Sequence, residues 1–231
     1  MSVGNRIFLK RQLPPKEIVE GFRGLSAANV ADCMNRLCAM NSTIRLMSSP
    51  RRNLCGAALT IKARAGDNLM IHKALEMAGE GDVIVVETGF GEPNSLAGEV
   101  IVRYAAFKKI GGIVFDAPIR DIDAISKMEI PVYATGFTPG GPFKEGPGEI
   151  NVPISCGNIT VFPGDIILGD ADGVIVIPKS DGKSILEKAI AFSNNDLEKT
   201  QRAANGTLER TWVEKQLKEK QVEIIDDYYH P

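Results

Sequence analysis

The fold is decided by one continuous stretch, residues 83–121, which reads VIVVETGFGEPNSLAGEVIVRYAAFKKIGGIVFDAPIRD. An aliphatic run leads through a turn-rich segment into a helical pattern, and the chain then returns as a second aliphatic run, Gly112–Asp116. A strand, a helix and a strand in this order are typical of a βαβ unit. Because such crossovers are right-handed, the two strands are parallel and end at the same edge of a sheet. The stretch therefore predicts α/β architecture.

The helix of this unit is expected at about Leu96–Ile110. Its apolar residues recur at i, i+4, i+8 and i+11, and this spacing predicts a buried face formed by Leu96, Val100, Tyr104 and Phe107. Two lysines and two glycines follow, at residues 108–109 and 111–112. Cations and glycine both suit the C-terminal end of a helix, so we expect the helix to stop there.

The rest of the chain alternates helical and extended patterns, which again favours α/β architecture. We expect helices within residues 14–40, with Ser26 as an N-cap between two of them, and at Asn68–Ala78 and Ile122–Met128. Further strands are expected at Ala57–Ala63, Pro131–Thr135, Asn158–Val161, Ile166–Leu168 and Val174–Ile177. The tail, residues 181–231, is charged and helical in pattern, so it forms a helical C-terminal extension to the domain at residues 1–180. Such an extension cannot build its own core, and we expect it to pack on that domain or on a neighbouring subunit.

The composition excludes several classes of protein. The 231 residues carry 27 Lys and Arg against 29 Asp and Glu, for a net charge of −2, so a basic field for nucleic acid or an anionic membrane is not expected. Two histidines exclude multi-histidine metal sites, so any metal must be held by oxygen ligands. The four cysteines are too few and too scattered for a disulfide framework. No signal-peptide or membrane-spanning run is present, so we expect a cytoplasmic protein.

Two polar motifs converge at the shared edge of the predicted sheet. The first, Ser95–Glu99, opens the helix, where unpaired backbone N–H groups and the positive end of the dipole suit a carboxylate, and Gly98 allows close approach. The second is Arg120-Asp121, which follows the returning strand. Asp121, with Glu99 nearby, could hold a hard divalent cation, and Arg120 could stabilise an oxyanion. Alternatively, Glu99 serves only the helix dipole and Arg120-Asp121 is a surface ion pair.

Other polar residues have competing interpretations. Asn68 and His72 open a helix, where a lone histidine can be a structural hydrogen-bond donor. The turn-rich segment at residues 136–148 is either an ordered surface loop or a substrate lid. Asp116 ends a strand and can be a turn residue. Asp165, Asp170 and Asp172 lack the spacing of a calcium loop, so we interpret these three as turn residues.

One motif resembles the start of an S-adenosylmethionine loop, Glu87-Thr-Gly-Phe-Gly91. The expected third glycine is replaced by Pro93, and Asn94 breaks a dinucleotide-binding fingerprint. A methyltransferase therefore stays open only as a minor alternative.

Taken together, the motifs resemble the class II, metal-dependent 4-hydroxy-4-methyl-2-oxoglutarate or 4-carboxy-4-hydroxy-2-oxoadipate aldolases, which share a superfamily with the regulator of ribonuclease activity A. The resemblance covers about Val30 to Pro178 and rests on Ala31-Asp32, Gly66-Asp-Asn68 with His72, Gly81–Val86, Gly98-Glu99, Gly112–Asp121 and Gly164–Pro178.

This resemblance implies a layered αββα-type sandwich, similar to swivelling domains, that forms homotrimers or homohexamers with sites at subunit interfaces. It implies a Mg²⁺ or Mn²⁺ bound by Asp121 and chelated by pyruvate, whose carboxylate lies on the backbone amides from Gly98 through Glu99 and Val100 to Ile101. Arg120 would contact the enolate oxygen and Glu99 would order a proton-shuttling water. Asn68 and His72 are assigned with them to substrate binding.

The implied activity is cleavage of a 4-hydroxy-2-oxo acid to pyruvate, with oxaloacetate decarboxylation through the same enolate. Ribonuclease regulators of this superfamily replace the acids at positions equivalent to Glu99 and Asp121, and both are present here, which favours an enzyme over a non-catalytic binding protein. Pro118 and Ala97 depart from the family pattern and leave the identity of the oxo-acid substrate open.

Overall fold

The computed structural model describes residues 2–89 and 94–229. The helices are α1 (Lys16–Phe22), α2 (Ala27–Asp32), α3 (Leu69–Met77), α4 (Glu99–Phe107), α5 (Ile122–Ile125), α6 (Gly182–Ala204) and α7 (Thr211–Glu219). The longer strands are β3 (Leu54–Ala63), β4 (Val83–Glu87), β5 (Gly112–Phe115), β12 (Ile166–Asp170) and β13 (Gly173–Ile177). The short strands are β1 (Asn5–Ile7), β2 (Arg45–Leu46), β6 (Pro118–Ile119), β7 (Val132–Ala134), β8 (Gly136–Phe137), β9 (Gly148–Ile150), β10 (Ile154–Cys156) and β11 (Ile159–Val161).

A parallel core of four strands, β3-β4-β5-β7, forms the centre of the main sheet. The antiparallel strands β9 and β2 flank this core, and β1 extends it beyond β9. The first half of β3 instead pairs with β12, which pairs in turn with β13. The βαβ unit predicted at residues 83–121 is present, because β4 and β5 are parallel neighbours joined through α4. Its two polar motifs consequently lie at one edge of the sheet, as predicted.

Two apolar layers lie on opposite faces of the parallel strands. Side chains alternate along β4, so that Ile84 and Val86 pack against helices α3, α4 and α5, while Val83 and Val85 face the other way. That second face is covered by residues of β10 to β13, including Ile154, Val161, Ile167 and Val174. Burial on both faces explains why β4 is an unbroken aliphatic run.

A third cluster completes the layers. Helices α1, α2 and the first turns of α6 cover the outer face of β12 and β13, through residues such as Phe22, Val30, Ile175, Ile185 and Ala189. The order helix, sheet, sheet, helix is the αββα sandwich that the resemblance implied. The mixed α/β class predicted from the sequence is therefore confirmed.

The predicted buried face of the central helix is wrong. Helix α4 begins at Glu99, so Leu96 is buried ahead of it, and the residues that α4 buries are Ile101, Val102 and Ala105. Val100 and Phe107 are each 81% exposed and Tyr104 is 46% exposed. Apolar residues occur on both faces of this helix, so periodicity alone could not distinguish the face that meets the sheet.

Other boundaries differ in detail. The helical region expected at residues 14–40 is two short helices, α1 and α2. Ser26 is the N-cap residue of α2, but its side chain makes no capping bond; instead Asp170 Oδ2 accepts the Ala27 N–H at 2.9 Å. Helix α5 ends at Ile125 rather than Met128. The strands missed from the sequence have two or three residues, too few to show alternation.

The chain divides into two compact units, residues 1–193 and 194–231, with the boundary inside α6. The first contains the sheets and all three apolar clusters. In the second, α7 buries none of its described residues, and Trp212 is 62% exposed. No helix in the described ranges is long and apolar enough to cross a membrane.

Candidate active site

The N-terminal ends of α4 and α5 meet at the edge of the sheet. Two backbone bonds bring their preceding segments together, since Leu96 N–H donates to the Pro118 carbonyl and Arg120 N–H donates to the Ala97 carbonyl. These bonds place Gly98-Glu99 directly beside Arg120-Asp121. The convergence predicted from the topology is thus present in the structure.

Asp121 is the centre of this junction. Its Oδ2 accepts the backbone N–H of Glu99 at 2.9 Å and lies 3.7 Å from Nε of Arg120. The residue is the N-cap of α5 and has a left-handed backbone with φ of 60°, a conformation that aspartate tolerates better than most residues. The carboxylate is therefore held beside the positive end of α4, where a negative charge is favoured.

Gly98 makes this approach possible. A Cβ at this position would lie 2.2 Å from Asp121 Oδ2 and 3.0 Å from Cγ and Nε of Arg120. Real Cβ atoms do not occupy such space, so only glycine lets both side chains lie over the backbone here. The close approach expected of Gly98 is present, and in this structure the approaching groups are side chains of the protein itself.

Glu99 has a different arrangement from the one expected. Its backbone N–H is used by Asp121, and its side-chain Oε1 accepts a 2.6 Å ion-paired hydrogen bond from Nε of Arg103. Of the amides expected to receive a carboxylate, those of Val100 and Ile101 lie in the first turn of α4, where a helix leaves its N–H groups without an internal partner. Fewer backbone N–H groups are therefore available to bind an anion at this helix end than predicted.

The loop after β8 contacts Arg120 from the other side. A Cβ on Gly141 would lie 2.9 Å from Nη1 of Arg120, so this glycine packs its backbone against the guanidinium. The loop is tied to the start of the α4 segment, because the Gly140 carbonyl accepts the N–H and the Oγ–H of Ser95 and the Gly141 carbonyl accepts Nδ2–H of Asn94. The segment at residues 136–148 is therefore an ordered part of the site wall.

An open cleft of about 540 Å³ lies at this junction. Its lining residues come from the start of α4, from α5 and the two residues before it, and from the end of β8 and the loop that follows, namely Glu99, Arg120, Asp121, Ile122, Asp123, Ala124, Phe137, Thr138 and Pro139. The side chains of Arg120 and Asp121 are 46% and 42% exposed, so both can reach a bound molecule. A cation and a carboxylate side by side suit a small anion together with a metal ion.

Asn68 supports the cleft from behind. It is 2% exposed, and its Nδ2 donates to the carbonyl of Leu96 at 3.0 Å. Its Oδ1 is buried and has no hydrogen-bond partner among the described residues. Asn68 therefore orients the segment that carries Gly98, but it is not one of the described lining residues of the cleft.

His72 lies on the exposed side of α3 and also does not line that cleft in the described structure. Partial burial, with a smaller contribution from the charge of Lys144, lowers the pKa of His72. The imidazole is accordingly neutral at pH 7, which makes it a weak ligand for an anionic group.

The other residues considered from the sequence fall outside the cleft. Asp116 Oδ2 accepts the Gly157 N–H at 2.8 Å, and the carboxylates of Asp165 and Asp170 also accept backbone N–H groups. Asp172 lies in the turn between β12 and β13, whereas Asp170 is the last residue of β12, so its interpretation as a turn residue is wrong. The glycine motif at residues 87–91 and Pro93 extend into residues 90–93, which lie outside the described residues.

Sequence reasoning missed the role of Asp67, which was noted only as part of a family motif. Asp67 is 1% exposed, and its carboxylate accepts backbone N–H groups from Leu69, Glu145 and Gly146. The signal available in the sequence was an acidic residue next to a helix N-cap, but its partners lie 78 and 79 residues away and could not be inferred.

The donor set at the junction fits a hard divalent cation. Within the described ranges, no group of three or more His, Cys, Asp or Glu side chains is arranged to hold a metal. Asp121 nevertheless presents a partly exposed carboxylate to the open cleft. Mg²⁺ is commonly held by one or two carboxylates, with water and substrate oxygens completing the shell. Asp121 thus fits as the protein ligand of such an ion.

Comparison with known proteins places this site in a family. A protein from Halalkalibacterium halodurans, provisionally named 4-hydroxy-4-methyl-2-oxoglutarate aldolase, is 38% identical over 173 residues, covering 75% of this chain and 82% of that protein. The 4-hydroxy-4-methyl-2-oxoglutarate aldolase of Thermus thermophilus is 34% identical over 113 residues, covering 49% and 69% of the two chains.

Among solved structures, Streptomyces coelicolor RraAS2, described as an unusual member of the RNase ES inhibitor RraA protein family, superposes with a TM-score of 0.71. That pair is 27% identical, and the match covers 84% of this chain and 99% of that one. The family model described as RraA-like, Aldolase/RraA, matches residues 27–176, which include the whole cleft. The chain therefore belongs to the RraA-like family.

Proposed function

We propose that the protein is a divalent-metal-dependent lyase that cleaves a 4-hydroxy-2-oxo acid to pyruvate and a second oxo compound through a pyruvate enolate. The observation that carries this proposal is the convergence of Gly98, Arg120 and Asp121 on one open cleft. Relatives named as aldolases support the reaction class. The free cysteines Cys33, Cys38, Cys55 and Cys156 suit a reducing compartment such as the cytoplasm.

Substrate binding can be derived from the helix end and the arginine. The N–H groups of Val100 and Ile101 and the positive end of α4 would receive the C1 carboxylate of the oxo acid. The Arg120 guanidinium, held beside Gly141, would donate to the C2 oxygen. These contacts orient the C3–C4 bond towards the open side of the cleft.

Cleavage develops negative charge on the substrate, and the site must stabilise that charge. The C4 hydroxyl gives up its proton, the C3–C4 bond breaks to leave a carbonyl at C4, and its electron pair moves to the C2 oxygen as an enolate. Arg120 stabilises that oxygen because its guanidinium offers several N–H donors and a positive charge. A divalent ion held by Asp121 supplies Lewis-acid stabilisation of the same charge when bound. Protonation of C3 then completes pyruvate.

Glu99 is proposed to order the water that exchanges these protons. Its side chain is 39% exposed and lines the cleft. The ion pair with Arg103 holds the carboxylate in this position. Decarboxylation of oxaloacetate would use the same groups, since loss of CO₂ from that substrate also leaves the enolate of pyruvate.

The test is a coupled pyruvate-release assay over a panel of 4-hydroxy-2-oxo acids and oxaloacetate, with and without Mg²⁺ or Mn²⁺. We expect metal-dependent turnover by the native chain, loss of turnover with EDTA, and no turnover by Asp121→Asn. Asp172→Asn, which changes an exposed turn carboxylate outside the cleft, should keep native activity. Full activity of Asp121→Asn in EDTA would refute the proposal.

A non-catalytic role is the second candidate, because the solved relative RraAS2 is described as a member of a ribonuclease-inhibitor family. It predicts no turnover of any oxo acid in the same panel and co-purification with a ribonuclease assembly. The pairing of Arg120 with Asp121 in an exposed cleft favours the enzyme.

We further propose that the chain functions as a homotrimer or homohexamer. The outer face of α4 leaves Val100, Tyr104 and Phe107 exposed beside the cleft, and the two rings stack with centroids 6.4 Å apart. An apolar face of this kind is typical of a protein interface. The exposed apolar side chains of the second unit, such as Trp212, would be covered by a neighbouring subunit in the same assembly.

A further inference from the structure

The buried turn Gly66-Asp67-Asn68 connects the two walls of the cleft. Asn68 reaches one wall through Leu96, as described above. Asp67 reaches the other wall, the loop of residues 140–146 that follows β8. Two backbone bonds join the same turn to this loop, because Phe143 N–H donates to the Gly66 carbonyl and Asn68 N–H donates to the Phe143 carbonyl.

The carboxylate of Asp67 is saturated by backbone donors. Oδ1 accepts the Leu69 N–H at 2.9 Å, and Oδ2 accepts the N–H groups of Glu145 at 2.6 Å and Gly146 at 2.9 Å. At 1% exposure, this side chain has no access to substrate. A buried carboxylate is unfavourable unless it is hydrogen-bonded, so the backbone N–H groups of the loop and of the helix start are held in place around it.

The other end of this loop contacts the proposed catalytic arginine. Gly140 is fixed to Ser95 by two hydrogen bonds, and Gly141 lies against the guanidinium of Arg120. Between Gly141 and Glu145 the loop has no described helix or strand, so its anchoring depends on Phe143, Glu145 and Gly146. A continuous set of contacts thus runs from Asp67 through the loop to Arg120.

We propose that Asp67 is a positioning residue: it clamps the loop of residues 140–146 so that Gly141 holds the Arg120 guanidinium in its productive orientation. The kinetic part of this inference rests on the proposed function, whereas the structural part does not. Asp67 acts only through the loop, since it touches neither the cleft nor Arg120.

Asp67→Asn tests the clamp with little change of side-chain shape. The substitution replaces one acceptor oxygen by an NH₂ group, which cannot accept the backbone N–H groups. The matched control is Asp165→Asn, since Asp165 is 4% exposed and also accepts only backbone N–H groups, from Phe162 and Lys179, outside the cleft. The melting temperature of each variant is measured as well, which separates a loss of stability from a loss of positioning.

Three measurements are made on both variants. In Asp67→Asn we expect kcat to fall roughly 10- to 100-fold with little change in KM, because a misplaced Arg120 is felt mainly in the transition state. We expect faster hydrogen exchange at Glu145 and Gly146 and faster modification of Arg120 by phenylglyoxal, read by peptide mass spectrometry. Asp165→Asn should leave all three as in the native protein.

The last two readouts do not depend on turnover, so an inactive native protein would refute the proposed function without deciding the clamp. Native rates of exchange and Arg120 modification in Asp67→Asn would overturn the clamp. If that variant does not fold, Asp67→Ser is measured instead, since a hydroxyl can still accept from Leu69 while losing the bonds to the loop.

Discussion

The backbone N–H of Glu99 donates to Oδ2 of Asp121 across 2.9 Å, which joins the starts of α4 and α5 through a single hydrogen bond. The bond fixes one carboxylate oxygen and leaves the side chain 42% exposed for a further ligand. It exists only because residue 98 has no side chain. The proposed metal ligand is therefore positioned by a helix end and a glycine.

Gly98→Ala tests this dependence. The added Cβ would lie 2.2 Å from Asp121 Oδ2, so the carboxylate and Arg120 must both move. We expect turnover to fall by about 10², because displacements near 1 Å of reacting groups cost that much, while the melting temperature changes little. Pyruvate release and thermal unfolding measured on the same preparation give both values.

The control for this substitution is Gly79→Ala. There the nearest atom to a new Cβ is Asp82 Oδ2 at 3.5 Å, an ordinary contact. Its activity should equal that of the native protein. A Gly98→Ala enzyme with native turnover would show that Asp121 need not lie where the structure places it.

How well the sequence predicts this site depends on how far apart in the chain the contacting residues lie. The pairing of Gly98-Glu99 with Arg120-Asp121 followed from one rule about crossover handedness, because both motifs belong to a single βαβ unit. The clamp by Asp67 could not be predicted in this way. Its loop partners are separated from it by five strands and three helices, and no local pattern encodes that pairing.

The buried face of α4 was predicted wrongly for a different reason. Leu96, Val100, Tyr104 and Phe107 follow a helical spacing as regular as that of the residues actually buried. Helix α4 begins at Glu99 rather than at about Leu96, and the stripe that it turns to the sheet is formed by Ile101, Val102 and Ala105. An exposed apolar stripe, which we propose to be an interface between subunits, resembles a core-facing stripe when only the sequence is read.

Arg120→Ala tests the oxyanion role. Removing one such donor typically costs ~10²–10³ in kcat, and we expect a loss in that range for pyruvate release. Metal binding, followed by calorimetry with Mn²⁺, should be nearly unchanged because Asp121 is retained. The control is Arg51→Ala, which removes an exposed ion-pair partner of Glu129. This variant should release pyruvate at the native rate. Equal activity of both variants would exclude Arg120 from the chemistry.

Phe107→Glu tests the proposed interface. The residue is 81% exposed in one chain, so the substitution should leave the fold of that chain intact. A charge on a face that is buried between subunits has no partner there, so we expect dissociation towards the monomer. Light scattering coupled to size-exclusion chromatography measures the mass directly.

Leu37 offers a matched control, since it is also 81% exposed and lies outside α4. Leu37→Glu should keep the native mass. A native protein that is already monomeric at micromolar concentration, or a Phe107→Glu variant with native mass, would contradict an interface on this face.

The cysteines give a prediction about pH. Burial raises the pKa of the Cys55 thiol to about 11, and the thiol donates to the Val19 carbonyl at 3.2 Å. In the unfolded chain the thiol loses its proton near its ordinary value. The neutral form therefore stabilises the fold fully below that value, and this contribution, roughly 3 kcal/mol, is lost as the pH rises towards 11.

Cys55→Ser keeps a donor at this position without a group that ionises in the range. We expect the melting temperature of the native protein to decrease between pH 8 and pH 10.5 more steeply than that of Cys55→Ser.

Thiol labelling at pH 8 provides an independent check, because Cys33 is partly exposed whereas Cys55 and Cys156 are fully buried. The native chain should label first at Cys33, and all four thiols should label in denaturant. Rapid labelling of Cys55 in the folded protein would contradict the burial on which the pH prediction rests.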